Sequence, residues 1–211
     1  GVPSVIMVAI GSVMNYFLNL ILFSFSKLAV AVFGAYFKVQ SMAFMPVFGL
    51  NNGMIPIISY NYGAQRPDRM KRTMKLGVMV GCSIMLFCLV IMQAFPGQIL
   101  KIFDATDDML SMGIPAVRIM STAFIFAGFS VTCSGMFQAV GKGVYSMIVS
   151  MARQLFVILP VAYFLSKAMN SVNGVWTAFP IAEIFSVIIS TFLLLRVYKK
   201  IVKPLERGQI E

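Results

Sequence analysis

The sequence specifies an all-α integral membrane protein built as a bundle of six transmembrane helices. Composition and pattern lead there together. Hydrophobic residues make up 59% of the chain and charged residues only 11%, with a mean hydropathy of +0.88, whereas a soluble domain carries charge on about a quarter of its residues. The apolar residues fall in continuous runs of the length that spans hydrocarbon, about 20 residues, separated by charged connectors. Barrel strands would instead alternate polar and apolar residues.

The first span covers residues 3–26. It lacks the charged leader of a secretory signal and is too long for a signal's apolar core, so it reads as a span in a chain that starts mid-protein. The second, 28–62, is unusually long and carries Lys38, Pro46, the Asn51-Asn52-Gly53 step and Pro56, with Tyr60 and Tyr62 marking an interface. The third, 76–95, has no charge. Residues 96–110 read as a short outer interfacial helix followed by a loop. The fourth span, 115–141, has Arg118 near its start; the fifth, 144–166, holds Arg153 and Pro160; the sixth, 173–196, holds Pro180 and Glu183. The whole chain, 1–211, forms a single six-span membrane lobe.

Charge sets the orientation. The connectors after spans two and four, the start of span five and the tail carry Arg66, Arg69, Lys71, Arg72, Lys75, Lys142, Arg153, Arg196, Lys199, Lys200, Lys203 and Arg207. The opposite connectors hold Lys27, Lys101 and Lys167, with Asp104, Asp107 and Asp108 beside Lys101. Lys and Arg concentrate in short cytoplasmic loops, so both ends of the chain are expected in the cytoplasm, in a multi-pass protein of the plasma membrane. The net charge of +10 is then a topology signal that also meets anionic lipid. It does not indicate nucleic-acid binding, which would need a soluble basic module.

Enzyme chemistry finds no support. Histidine is absent, so HExxH cannot occur, and there is no GxSxG, no GxxxxGK[ST] and no close carboxylate pair within a span. Cys82, Cys88 and Cys133 lie in apolar segments without ligand spacing. The expectation is a non-enzyme with no cofactor and no metal, and transport driven by an ion gradient fits better than an ATP-driven pump.

Ionisable groups inside the bilayer are costly and mark candidate sites. Arg118 and Arg153 lie close enough to span ends to snorkel. Lys38 and Glu183 each lie about ten residues in from the same side, roughly 15 Å deep at 1.5 Å per residue, which makes an ion pair between them an expectation. Such a pair either fixes helix packing or couples ion movement, with Lys38 setting the affinity of Glu183 for a proton or cation. Tyr36, Gln40 and Ser41 accompany Lys38; Asn15 and Asn19, four apart, share a face of span one; Asn51, Asn52 and Gln138 add further amides. These residues are candidates either for hydrogen bonds between helices or for lining a water-filled cavity. Pro46, Pro56, Pro160 and Pro180 are candidate kinks of the kind that transporters use around a central site.

Three separated motifs, VFGAYFKVQSMAFMPVFGLNNGMIPIISYNYGAQ at 32–65, SGMFQAVGKGVYSMIVSMARQ at 134–154 and GVWTAFPIAEIFS at 174–186, resemble in order and spacing the C-terminal lobe of a multidrug and toxic compound extrusion (MATE) transporter. The resemblance covers essentially the whole chain. It implies one lobe of a twelve-helix, two-lobed protein whose lobes are related by a pseudo-twofold axis along the membrane normal, so the N-terminal lobe would be a partner outside this chain. It implies efflux of cationic and amphipathic compounds, small organic cations among them, by proton- or sodium-coupled antiport with alternating access. Lys38, Gln40, Asn51, Asn52 and Glu183 match motif positions. Sodium-coupled relatives often carry carboxylates on the first and fourth helices of this lobe; spans one and four here have none, which leaves Glu183 as the lobe's intramembrane acid. The alternatives are a lipid or lipid-linked oligosaccharide flippase of the same superfamily, and a non-transporting membrane scaffold subunit.

Overall fold

The computed structural model describes residues 1–208 and, among them, contains helices and turns but no strand. Helix α1 spans Val2–Phe23, α2 Lys27–Gly63, α3 Pro67–Ala94, α4 Pro96–Ile102, α5 Asp107–Ser121, α6 Phe124–Ala139, α7 Gly143–Met151, α8 Leu159–Met169, α9 Asn173–Val197 and α10 Lys203–Glu206. A π-helical segment, Ala152–Ile158, joins α7 to α8, and another, Tyr198–Val202, joins α9 to α10. Five of these continuous helical stretches are long and apolar enough to cross a membrane; α5 and α6, bent by 51° at a short break, make the sixth span.

The expected spans are present with shifted ends. α3 starts before residue 76 because Pro67 suits the first helical turn, where its missing N–H is no loss, so the bases ride on the helix. The fourth span begins earlier than residue 115, at Asp107, where Thr106 caps α5 by accepting from the Met109 amide at 3.3 Å and two acids occupy the first turn. The short helix expected after residue 95 is α4. α2 runs unbroken through Pro46, Pro56 and the Asn51-Asn52-Gly53 step, about 55 Å at 1.5 Å per residue. It stops where Gln65 turns left-handed at φ 53° and the Arg66 amide bonds back to Asn61 O at 2.9 Å.

Packing reverses the soluble pattern. Phe87 and Val90 on α3, and Ile188 and Phe192 on α9, lie exposed, as lipid solvation permits. Leu18, Leu22, Tyr36, Met85, Met120, Phe124 and Trp176 are fully buried in one apolar cluster; Ile58, Met70, Met136, Phe137 and Val202 form a second. Small residues set the closest approach of helices, as in other membrane bundles. A Cβ on Gly128 of α6 would lie 3.0 Å from Gly81 O and 3.2 Å from Cys82 Cα of α3.

The bend between α5 and α6 frees a carbonyl and finds it a partner. The Thr122 amide bonds to Ile119 O at 3.3 Å, and Gln93 on α3 donates to Arg118 O at 2.7 Å and to Ser121 Oγ at 2.9 Å. A side chain thus replaces the lost helical bond, the usual condition for non-helical backbone inside a membrane.

Candidate functional site

A cavity of about 550 Å³ opens between α1, α2, α6, the α7–π segment and α9. Its wall holds one ion pair. Arg153 Nη1 donates to Glu183 Oε1 at 3.1 Å, with the two side chains 21% and 11% exposed. Each residue lies about ten positions in from an end of its own span, and α7 and α9 start on opposite sides. Both groups therefore sit about 15 Å deep, near mid-bilayer. Isolated charge is unaffordable at that depth, so the two hold each other.

Unspent hydrogen-bonding capacity gathers near the pair. Glu183 Oε2, Asn51 Oδ1 and Ser130 Oγ are buried without a partner among the described residues, and all three residues line the cavity. Buried polar atoms are normally paired, so these three are acceptors available to a bound proton, cation, water or polar ligand. Phe37, Phe44, Phe48 and Phe179 add aromatic walls. A carboxylate with one oxygen held by a guanidinium and the other buried without a partner, beside aromatic faces and amides, makes a wall suited to cationic, partly apolar molecules.

The expected Lys38–Glu183 pair does not form. Lys38 is exposed, lies off the cavity and makes no ion pair among the described residues. Its depth matches that of Glu183, but it projects from α2 beside the buried stripe of Phe33, Tyr36 and Val39. Arg153 takes its place and does not snorkel.

The other candidates divide. Asn15, Gln40, Asn51, Asn52, Gln138 and Glu183 line the cavity; Asn19, Tyr36 and Lys38 do not. Asn19 lies one turn beyond Asn15, about 6 Å further along α1, and is exposed past the cavity's end. Tyr36 is buried edge-on against Phe179, ring centroids 6.4 Å apart. Asn51 has a double role, since its Nδ2 donates to Val131 O of α6 at 2.9 Å while its Oδ1 stays open. Gly135 makes room for it, because a Cβ there would meet Asn51 Oδ1 at 2.8 Å.

Gln154, buried beside Arg153, is a lining residue that the sequence reading omitted. Adjacent polar residues normally splay about 100° apart on an α-helix, but the wider π turn brings both Arg153 and Gln154 to the cavity. A polar doublet deep in an apolar span was the available signal.

Comparison with known proteins adds the family. The chain is 25% identical over 194 residues to the multidrug export protein MepA of Staphylococcus haemolyticus (strain JCSC1435), covering 92% of this chain and 42% of that protein. It is 27% identical over 177 residues to MepA of Staphylococcus saprophyticus, covering 84% and 39% respectively. The chain thus spans less than half the length of the curated relatives it matches. Its fold superposes on part of an outward-facing multidrug resistance MATE family transporter of the MOP superfamily with a TM-score of 0.88 at 21% identity, covering 98% of this chain and 46% of that one. It superposes on an inward-facing transporter of the same description with a TM-score of 0.88 at 21% identity, covering 100% and 48%. The MatE family model matches residues 3–164, and the chain accordingly belongs to the MatE family of multi-pass membrane transporters.

Proposed function

We propose that this chain is one lobe of a plasma-membrane efflux transporter that exchanges cationic or amphipathic organic compounds for H⁺ or Na⁺ by alternating access, with a second six-helix lobe completing the central cavity. The observation that carries the reading is the Arg153–Glu183 pair on the cavity wall, whose second carboxylate oxygen is buried without a partner. A proton or cation arriving at Oε2 weakens the hold of Arg153 on the carboxylate; its departure restores the pair. Ion and drug binding are coupled where they compete for one charge in one cavity.

Alternating access asks a lobe to move as a unit. The equal similarity of this fold to outward-facing and inward-facing transporters supports a lobe that keeps its internal packing while it rocks. The flippase alternative needs a strongly cationic groove for lipid phosphate. The ionisable residues on this cavity are Arg153 and Glu183, which offset each other, so nothing favours it.

The test is dye efflux by the complete protein in vesicles under separately imposed proton and sodium gradients. Efflux driven by either gradient supports antiport and names the ion. Dye movement indifferent to both contradicts it.

A further inference from the structure

A second depression, of about 540 Å³, lies where α3, α5 and α9 meet and is lined by Leu89, Gln93, Arg118, Ile119, Thr122, Thr177 and Pro180. Two independent elements give its level in the membrane. Gln93 is one residue from the end of α3 and bonds to Arg118 O, and Thr177 lies four residues into α9, so the outer rim of the groove lies within about 6 Å of these helix ends. That is just below the hydrocarbon boundary, from which the long Arg118 side chain reaches the level of a headgroup phosphate.

The groove is also turned away from the cavity. Phe179 and Glu183 of α9 face the cavity, whereas Thr177 and Pro180 face the groove. One and two turns further along the same face of α9 come Ile184 and Ile188, and on α3 the face of Gln93 and Leu89 continues to Leu86, all three exposed. An acyl chain would find an apolar track running from the groove toward the membrane centre.

Arg118 is exposed there and has no ion-pair partner among the described residues. Its neighbours complement the rest of a headgroup. Thr122 Oγ1 donates to Ile119 O at 2.6 Å and Thr177 Oγ1 to Asn173 O at 2.8 Å. With their protons engaged, both hydroxyl oxygens present lone pairs to the groove. A guanidinium matches phosphate, and adjacent acceptors match the hydroxyls or ammonium that phospholipid headgroups carry beyond it.

We propose that this groove is a phospholipid-binding site in which Arg118 holds the headgroup phosphate and Thr122 and Thr177 accept from its polar substituent. The site is independent of the transport cavity, and its bound lipid would brace the bend between α5 and α6 against α3 and α9.

The complete protein, delipidated in detergent, is incubated with phosphatidylglycerol, with diacylglycerol of the same chains, or with inorganic phosphate, and bound adducts are counted by native mass spectrometry. Wild type is expected to hold one phosphatidylglycerol tightly, to hold diacylglycerol poorly, and to keep the lipid against added phosphate. Loss of a charge-assisted contact in Arg118→Gln is expected to weaken retention about tenfold, with Arg118→Lys intermediate. Thr122→Val, which keeps the charge, is expected to weaken it less than Arg118→Gln and still measurably. Equal adducts in wild type and Arg118→Gln, equal binding of diacylglycerol, or displacement by inorganic phosphate would overturn the proposal; unchanged retention in both Arg118→Lys and Thr122→Val would also count against it.

Discussion

Arg153 donates to one oxygen of Glu183 at 3.1 Å, and the other oxygen of Glu183 is buried with no hydrogen-bond partner among the described residues. The pair is therefore half-closed. It neutralises charge at mid-membrane while leaving an unpartnered acceptor buried in the cavity wall, and from that asymmetry come the first expectation below and the last.

Removing only the base should harm the protein more than removing the pair. Arg153→Ala leaves a buried carboxylate uncompensated, at a cost of roughly 3 kcal/mol by the behaviour of broken buried pairs. Arg153→Ala/Glu183→Ala should be more stable than Arg153→Ala alone. Thermal unfolding of the complete protein in detergent measures this cycle, and simple additivity would show that the two side chains are not coupled.

Depth was legible in the sequence and azimuth was not. Spans of about 20 residues, and the distance of Glu183 from its helix end, follow from counting. Which neighbour meets Glu183 depends on how each helix is rotated about its axis. Lys38 had the right depth and the wrong face, because α2 buries Tyr36 and Val39 on either side of it. Arg153 reads as a snorkelling residue in sequence because ten residues from a helix end lie within a long side chain's apparent reach of the interface. The π turn that aims it inward leaves no mark in hydrophobic periodicity. Asn51 shows the same limit, since its value as a tie between α2 and α6 depends on Gly135 opposite.

That tie gives the second expectation. Gly135→Ala drives a methyl group to 2.8 Å from the Asn51 amide and should cost about 1–3 kcal/mol through overpacking and a strained hydrogen bond. In an Asn51→Ala background the same change should cost less. Equal losses in both backgrounds would place the strain elsewhere.

Helix spacing supplies the third. Gly128→Val should push α3 from α6, where a Cβ already comes within 3.0 Å of Gly81 O, and lower the melting temperature sharply. Gly34→Ala is the control; no atom lies within 4 Å of a Cβ there, and alanine improves helix propensity. The control should melt at or above the wild-type temperature.

Gln93→Leu tests the account of the bend. It removes both donors that reach Arg118 O and Ser121 Oγ, leaving the freed carbonyl only the Ser121 hydroxyl at 3.2 Å, at a cost of about 0.5–1.5 kcal/mol. Hydrogen exchange should then rise at the amides of residues 119–124 and stay unchanged in α1. Unchanged exchange around the bend would mean that Gln93 does not support it.

The most direct test of Glu183 as the coupling group is gradient-driven dye efflux by the complete protein carrying Glu183→Gln. The substitution keeps the shape and removes the exchangeable charge. The account predicts that the variant, whose amide oxygen can still accept from Arg153, folds and binds cationic dye more weakly, while its remaining efflux loses its dependence on the imposed ion gradient and on pH. Efflux that follows the gradient as in wild type at every pH would contradict it and move the coupling to another group.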